Sequence, residues 1–205
     1  MEKIGIYTTV AVEAAIKAGE ILKKYYRKEF NYTYKEERNP VTEVDLSSQN
    51  TIKEIIFKNF RNHEILAEED WQGNQEKIEQ GFWWIIDPLD GTVNFRKGFP
   101  FFCVSIALTI NGEISLAVIY LPILDELFIA EKDQGSFCNN KRIFVSKTAN
   151  LSQSVLATGF SYALTKNPDP HIELFKEISV RTEAVRRAGS AATDLAYVAM
   201  GIFDG

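Results

Sequence analysis

The chain has 205 residues, 45% hydrophobic and 25% charged, proportions that fit a soluble globular protein with a sizeable core and exclude a low-complexity or disordered chain. Its 23 Lys+Arg against 28 Asp+Glu leave a net charge of -5, which argues against a general nucleic-acid binder, and short basic clusters such as Lys23-Lys24 and Arg186-Arg187 read as solvated faces. The two cysteines, Cys103 and Cys138, lack CxxC spacing, there is no signal-peptide block and no stretch long enough to span a bilayer, so a reduced cytoplasmic protein with no membrane partner is expected.

Val10, Ala14, Ala18, Ile21, Leu22 and Tyr25 fall on one helical face and predict an amphipathic helix over 8–28. A polar, irregular stretch is expected through Asn39-Pro40. Thr42-Glu43-Val44-Asp45 then has the spacing of a capping box at the start of a second helix carrying Ile52, Ile55, Ile56 and Phe60. Ile65-Leu66-Ala67 reads as a short strand ending in Glu68-Glu69-Asp70, and residues 71–81 as a polar surface loop. Asn111-Gly112 is a strong hairpin signal between strands at Phe102–Ile110 and Ile114–Tyr120. Leu127–Glu131 predicts a further strand, Gly135–Asn140 a turn, Val155–Gly159 a strand, and 160–170 a loop with Pro168 and Pro170. A short helix over His171–Ser179, a strand over Ala184–Arg187 and a helix from Gly189-Ser190-Ala191-Ala192 to Met200 complete the list. Gly201 to Gly205 is apolar and reads as a chain entering another strand. No repeat or linker divides residues 1–205, which are taken as one domain.

The chemistry concentrates in Trp84-Ile85-Ile86-Asp87-Pro88-Leu89-Asp90-Gly91-Thr92-Val93-Asn94-Phe95. An apolar strand runs into two carboxylates three residues apart, costly groups to bury unless a partner neutralises them. A hard divalent cation is the natural partner, and Gly91 and Thr92 then offer backbone N–H groups to an anion. Metal beside phosphate is the chemistry this layout suggests. On spacing alone Asp87 and Asp90 serve equally well as turn formers. Glu68 reads either as a surface acid beside Glu69 or as a third ligand; Asp70 reads as solvated, Asp194 as polar and exposed. Asp45 fits the acidic position of its capping box, and Ser190 fits a helix N-cap. His63 and His171 stand in polar surroundings, and Trp83, Trp84, Phe101 and Phe102 read as core. No GxGxxG or GxxxxGK[ST] loop occurs.

These residues resemble the inositol monophosphatase family, the lithium-sensitive, magnesium-dependent sugar phosphatases. The similarity spans the chain and rests on Asp87-Pro88-Leu89-Asp90-Gly91-Thr92-Val93-Asn94-Phe95 as a DPxDGTxNF signature, with support from Asn39-Pro40-Val41-Thr42-Glu43-Val44-Asp45, Ala67-Glu68-Glu69 and Gly189-Ser190-Ala191-Ala192. It implies a mixed α/β (α+β) fold, a layered αβαβα sandwich, here C-terminally truncated because the family's WDxAAG-type motif and a sugar-contacting glutamate are absent. It implies Mg²⁺ held by Glu68, Asp87, the Leu89 carbonyl and Asp90, with Asp87 bridging two ions. Asp45 and Thr92 would orient the nucleophilic water, and Asp90, Gly91, Thr92, Gly189, Ser190 and Ala191 would contact substrate. The expected reaction is hydrolysis of a small phosphorylated polyol or sugar such as myo-inositol 1-phosphate, by a homodimer. The alternatives are a fructose-1,6-bisphosphatase or a nucleotide 3′-phosphatase of the same fold, a catalytically impaired metal- or phosphate-binding fragment, and a non-enzymatic binding module.

Overall fold

The computed structural model describes residues 2–36, 39–70, 80–160 and 169–205. The first helix, α1 (Glu2–Tyr25), buries Ala11, Ala14, Ala15, Ala18 and Leu22 completely. Small side chains on that stripe let it lie close to its neighbours. Where the sequence reads as irregular through Asn39-Pro40, β1 (Tyr32–Glu36) and β2 (Asn39–Thr42) pair antiparallel. The alternation of Tyr32 and Tyr34 with Thr33 is a period-2 signal masked by the surrounding polar residues. α2 (Glu43–Asn59) begins at the capping box as expected, with Thr42 at the N-cap.

The centre is a seven-stranded sheet in sequential order: β3 (Glu64–Ala67), β4 (Phe82–Asp90), β5 (Cys103–Ile110), β6 (Glu113–Leu121), β7 (Glu126–Glu131), β8 (Gly135–Cys138) and β9 (Lys141–Arg142). β3 pairs parallel with β4, and every later pair is antiparallel. Gly135–Cys138 is thus a strand and not the turn expected; the turn is at Asn139 and Asn140, both at positive φ. Most of the loop expected at 71–81 and at 160–170 lies outside the described residues.

α1 and α2 pack on one face of this sheet, where Trp84, Ile86, Val104, Ile106, Leu108, Leu116 and Val118 meet Val44, Ile52 and Ile56 in the main core. The other face carries α5 (Ala191–Met200), which closes a smaller cluster around Cys103, Leu121, Phe128 and Ala196. α3 (Thr92–Lys97) follows β4 directly. A separate parallel pair, β10 (Val155–Ala157) and β11 (Ala184–Arg186), carries α4 (Asp169–Ser179). The segment after α5 runs back along β10: Asp204 N–H donates to Val155 O (2.8 Å) and Ala157 N–H to Gly205 O (2.8 Å), with Phe203 buried. This mixed α/β layering is the fold class read from the sequence.

Candidate active site

Three chain segments converge at the C-terminal ends of β3 and β4. In a regular strand Asp87 and Asp90, three residues apart, would face opposite sides of the sheet. The β4–β5 register slips by one residue between them: Asp87 pairs with Ser105 and Asp90 with Cys103. This bulge at Pro88-Leu89 absorbs the odd spacing and turns both carboxylates to the same end of the sheet. Pro88 suits the bulge because it has no N–H to withdraw from the ladder. Gly91 follows with φ +96°; a Cβ there would sit 3.1 Å from both Phe101 O and the Phe102 Cβ, so the sharp entry into α3 requires glycine.

Asp87 is the least satisfied of the acids. Leu89 N–H donates to its Oδ1 (3.1 Å). Burial pushes its carboxyl well above the usual carboxylate range, and the charges of Glu68 and Asp90 push it further. Glu68 and Asp87 also share a hydrogen bond that holds the Asp87 proton in place, an arrangement two carboxyls reach only with a proton between them.

Asp90 is held differently. Its Oδ2 accepts from the Ser190 hydroxyl (2.7 Å) and from Ala192 N–H (2.7 Å), with the Cys103 thiol at 3.9 Å. These donors offset part of the upward push from burial. Ser190 stands at the N-cap position of α5 but caps nothing with its side chain; its hydroxyl goes to Asp90 and meets Thr193 Oγ1 at 2.7 Å. Cys103 Sγ lies 3.7 Å from the same hydroxyl. Cys103 and Thr193 are fully buried and Ser190 nearly so. Cys103 is thus more than the small hydrophobe its sequence context suggests, although burial, with Asp90 and Asp87 adding, pushes its thiol up and keeps it protonated.

The third segment is the start of α2. Asp45, 1% exposed, accepts from Thr42 N–H (2.9 Å) and the Thr42 hydroxyl on Oδ2, and from the Thr92 hydroxyl on Oδ1 (3.2 Å). Burial raises its pKa, and the bonds from Thr42 and Thr92 pull it back. The cap role and the contact with Thr92 therefore coexist in one side chain. Thr92 Oγ1 also lies 3.1 Å from Leu89 O, so its single proton has two acceptors in reach.

Sequence reasoning missed two residues that clamp this site from behind. Ser48 donates to Pro88 O (2.9 Å), fixing the bulge. Gln49 accepts from Glu69 N–H (3.1 Å) and donates to Asp70 Oδ1 (3.0 Å), fixing the turn after β3. Both are buried polar residues on the inward face of α2 between Val44 and Ile52, and that position was the available signal. Asn94 was missed as well: its Nδ2 donates to Phe101 O (2.7 Å) and Ala188 O (2.8 Å), tying α3 to the turn at Gly189. Asp70 is exposed, as expected, and is bridged to Lys53 (2.8 Å) and Gln49. Asp194 is half-buried rather than exposed. His63 stands in an aromatic stack, not polar surroundings: its ring lies 4.4 Å from Phe82 and 4.8 Å from Phe60, and it accepts from Trp84 Nε1–H (3.0 Å).

Residues 6–205 match the inositol monophosphatase family. The chain belongs to that family. It is 39% identical over 198 residues to the Nus factor SuhB of Pasteurella multocida, covering 96% of this chain and 73% of the relative. It is 37% identical over 207 residues to the fructose-1,6-bisphosphatase/inositol-1-monophosphatase of Aquifex aeolicus, covering 100% and 77%. Among solved structures, the inositol monophosphatase of Anabaena (Nostoc) superposes with a TM-score of 0.85 at 41% identity, over 98% of this chain and 73% of that one. The family membership anticipated from the DPxDGTxNF-type signature is thereby shown. The family's acidic motif, its threonine and its GSAA turn are the segments that meet here.

The family implies a metal ion, and the donor set fits one. Glu68, Asp87, Asp90 and the Leu89 carbonyl are all hard oxygen donors. Glu68 and Asp90 act on Asp87 with the same sign of charge as its own, a conflict that a cation relieves and a neutral core does not. Among the described residues no three acidic, histidine or cysteine side chains already form a metal-holding cluster. Asp90 is turned onto α5 by Oδ2, which leaves the Glu68–Asp87 pair as the nearest approach to a cluster. Among the described residues no helix is long and apolar enough to cross a membrane.

Proposed function

We propose that the chain hydrolyses phosphate monoesters of a small polyol or sugar, myo-inositol 1-phosphate being the reference substrate, in a Mg²⁺-dependent reaction. The observation that carries this reading is the desolvated Asp87 carboxyl, opposed by the charges of the exposed Glu68 and of Asp90 and placed at the strand end directly before the Gly91-Thr92 turn. Glu68, Asp87, the Leu89 carbonyl and Asp90 would hold the cation. When bound, it would supply charge neutralisation of the phosphate and acidify the attacking water.

The chain's own residues do the positioning. Asp45 Oδ1 can take the Thr92 hydroxyl proton. Thr92 then presents its lone pairs outward to accept a hydrogen bond from water. Asp45 itself cannot swing away, because Thr42 holds its other oxygen from backbone and side chain. Thr92 stands one residue past the Gly91 turn, where backbone N–H groups would meet phosphate oxygens.

The test is phosphate release from myo-inositol 1-phosphate, fructose 1,6-bisphosphate and adenosine 3′,5′-bisphosphate, with Mg²⁺ and with chelator. Mg²⁺-dependent release that Asp90→Asn abolishes in a folded protein supports the proposal; release unaffected by chelator overturns it. The name carried by the Pasteurella multocida relative supports a second reading, in which the chain acts as a Nus factor. A folded wild type with no turnover on any phosphate monoester would favour that one.

A further inference from the structure

A pocket of about 410 Å³ opens beside Asp90 and α5, lined by Thr158, Gly159, Arg187, Ser190 and Asp194 among others. That volume suits a six-carbon ligand. Ser190 is already committed to Asp90. Asp194 and Arg187 are not used by anything the phosphate chemistry requires.

We propose that Asp194 and Arg187 are specificity-determining residues that select a polyhydroxylated leaving group, one hydroxyl donating to the Asp194 carboxylate and a neighbouring hydroxyl accepting from the Arg187 guanidinium. The inference rests on the phosphatase reading above and names its substrate class. Three observations carry it. Asp194 Oδ1 is shielded from solvent and, among the described residues, has no hydrogen-bond partner; a shielded acceptor without a donor is a destabilising feature that a ligand hydroxyl could relieve. Arg187 is exposed, and its guanidinium lies over the Gly189 turn: a Cβ added to Gly189 would meet Nη1 at 2.9 Å. The two side chains lie close enough for the Arg187 charge to act on Asp194. Burial and the Asp90 charge push the Asp194 carboxyl up to about 6, and Arg187 draws it down, so at neutral pH it is mostly an acceptor. A donor and an acceptor lining one pocket can serve two hydroxyls of the same ligand. A second phosphate would gain from Arg187 but meet Asp194 with like charge, which disfavours a bisphosphate in this orientation.

The experiment is isothermal titration of the 205-residue chain in Mg²⁺ with three unhydrolysable probes. These are inorganic phosphate, phenylphosphonate (no hydroxyl on the organic part) and a cyclitol phosphonate bearing the hydroxyls of inositol. The wild type should bind the cyclitol probe at least ~10-fold tighter than phenylphosphonate, the scale of one hydrogen bond to a charged group. Asp194→Ala and Arg187→Gln should each erase most of that preference while the phosphate Kd stays within about twofold, and Asp194→Asn, which keeps one acceptor oxygen, should retain part of it. An unchanged preference in both variants overturns the proposal. So does an equal loss for all three probes, which would mean that the variants act through Asp90. Failure of the wild type to bind phosphate at all in Mg²⁺ overturns the phosphatase reading itself, and this inference with it. Arg187 is an exposed side chain, so Arg187→Gln carries the test if Asp194→Ala does not fold.

Discussion

Replacing Ser190 by alanine removes the hydroxyl that holds Asp90 and little else. The side chain is 1% exposed and its Oγ stands 2.7 Å from Asp90 Oδ2 and 2.7 Å from Thr193 Oγ1. A hydrogen bond to a charged group is worth about 1.5–3 kcal/mol. The lower half of that range applies, because Ala192 N–H remains on the same oxygen at 2.7 Å. Thr193, fully buried, loses its hydroxyl partner too, which brings the expected loss to about 2 kcal/mol. For a chain of this size that is roughly 4–8 °C of melting temperature. The assay is thermal denaturation in chelator, where metal binding contributes nothing, followed by Mg²⁺ titration. With one of the two donors on Oδ2 gone, Asp90 is held less firmly, and Mg²⁺ affinity should fall by roughly 10–100-fold, the usual cost of losing a partner that orients a ligand. Thr193→Val leaves the Ser190–Asp90 bond in place and should cost less, and the double variant should be clearly non-additive because the two hydroxyls are in contact. A melting temperature within about 1 °C of wild type for Ser190→Ala would refute the reasoning, since it would mean that the α5 turn does not hold Asp90 in solution.

Gly19→Ala should destabilise, against the usual gain of about 1 kcal/mol for alanine over glycine inside a helix. The new Cβ would lie 2.5 Å from the Tyr120 ring, which is pinned by Lys23 (3.0 Å) and Asp125 (3.0 Å) at its hydroxyl, so an overpacking cost of about 1–3 kcal/mol wins; a raised melting temperature would contradict this. Asp87→Asn should raise the melting temperature in chelator, because it removes a carboxyl whose ionised form burial, Glu68 and Asp90 all oppose, and should abolish the further rise that Mg²⁺ gives the wild type; a variant less stable than wild type in chelator would be the wrong sign. Burial holds His63 below its ordinary 6.5, so as pH falls through 6.5 the unfolded chain takes up the proton first and the native state loses stability. His63→Gln keeps an acceptor for Trp84 but cannot titrate, so its stability relative to wild type should improve steadily from pH 7.5 to 5.5 by urea denaturation; parallel curves would show that His63 is not the group responsible.

Most of the framework was legible because its signals are local. The capping box at Thr42 and Asp45, the Asn111-Gly112 hairpin and the apolar runs of β4 and β5 each require only neighbours in sequence to be read. Where single side chains were misread, the deciding partners are not their immediate sequence neighbours. His63 looks polar beside Asn62 and Glu64, but its environment is Phe60 and Phe82. Ser190 has the spacing of a helix cap and is an Asp90 donor 100 residues away. The β1–β2 hairpin and β8 were missed because short strands at a sheet edge or outside the sheet carry few apolar residues to reveal their period.

The site residues also explain one another's burdens. Asp45 has three donors, from Thr42 and Thr92, and Asp90 has the α5 turn; both carry their charge with compensation from the protein. Asp87 takes Leu89 N–H and shares its other hydrogen bond with a second acid, Glu68, and its carboxyl is pushed well above the usual range. The carboxyl whose ionisation is most opposed is therefore Asp87, while Asp45 and Asp90 are fixed around it. Ser48 and Gln49 hold the two backbone segments that bear these acids against a single helix, so Glu68 and Asp87 cannot relax apart without breaking α2's contacts. A fold that merely tolerated acidic residues here would distribute its donors evenly or let the pair separate. On the proposed reading a cation would replace the proton that the pair now shares, which is why Asp87→Asn is expected to stabilise the metal-free chain and to disable it in the same step.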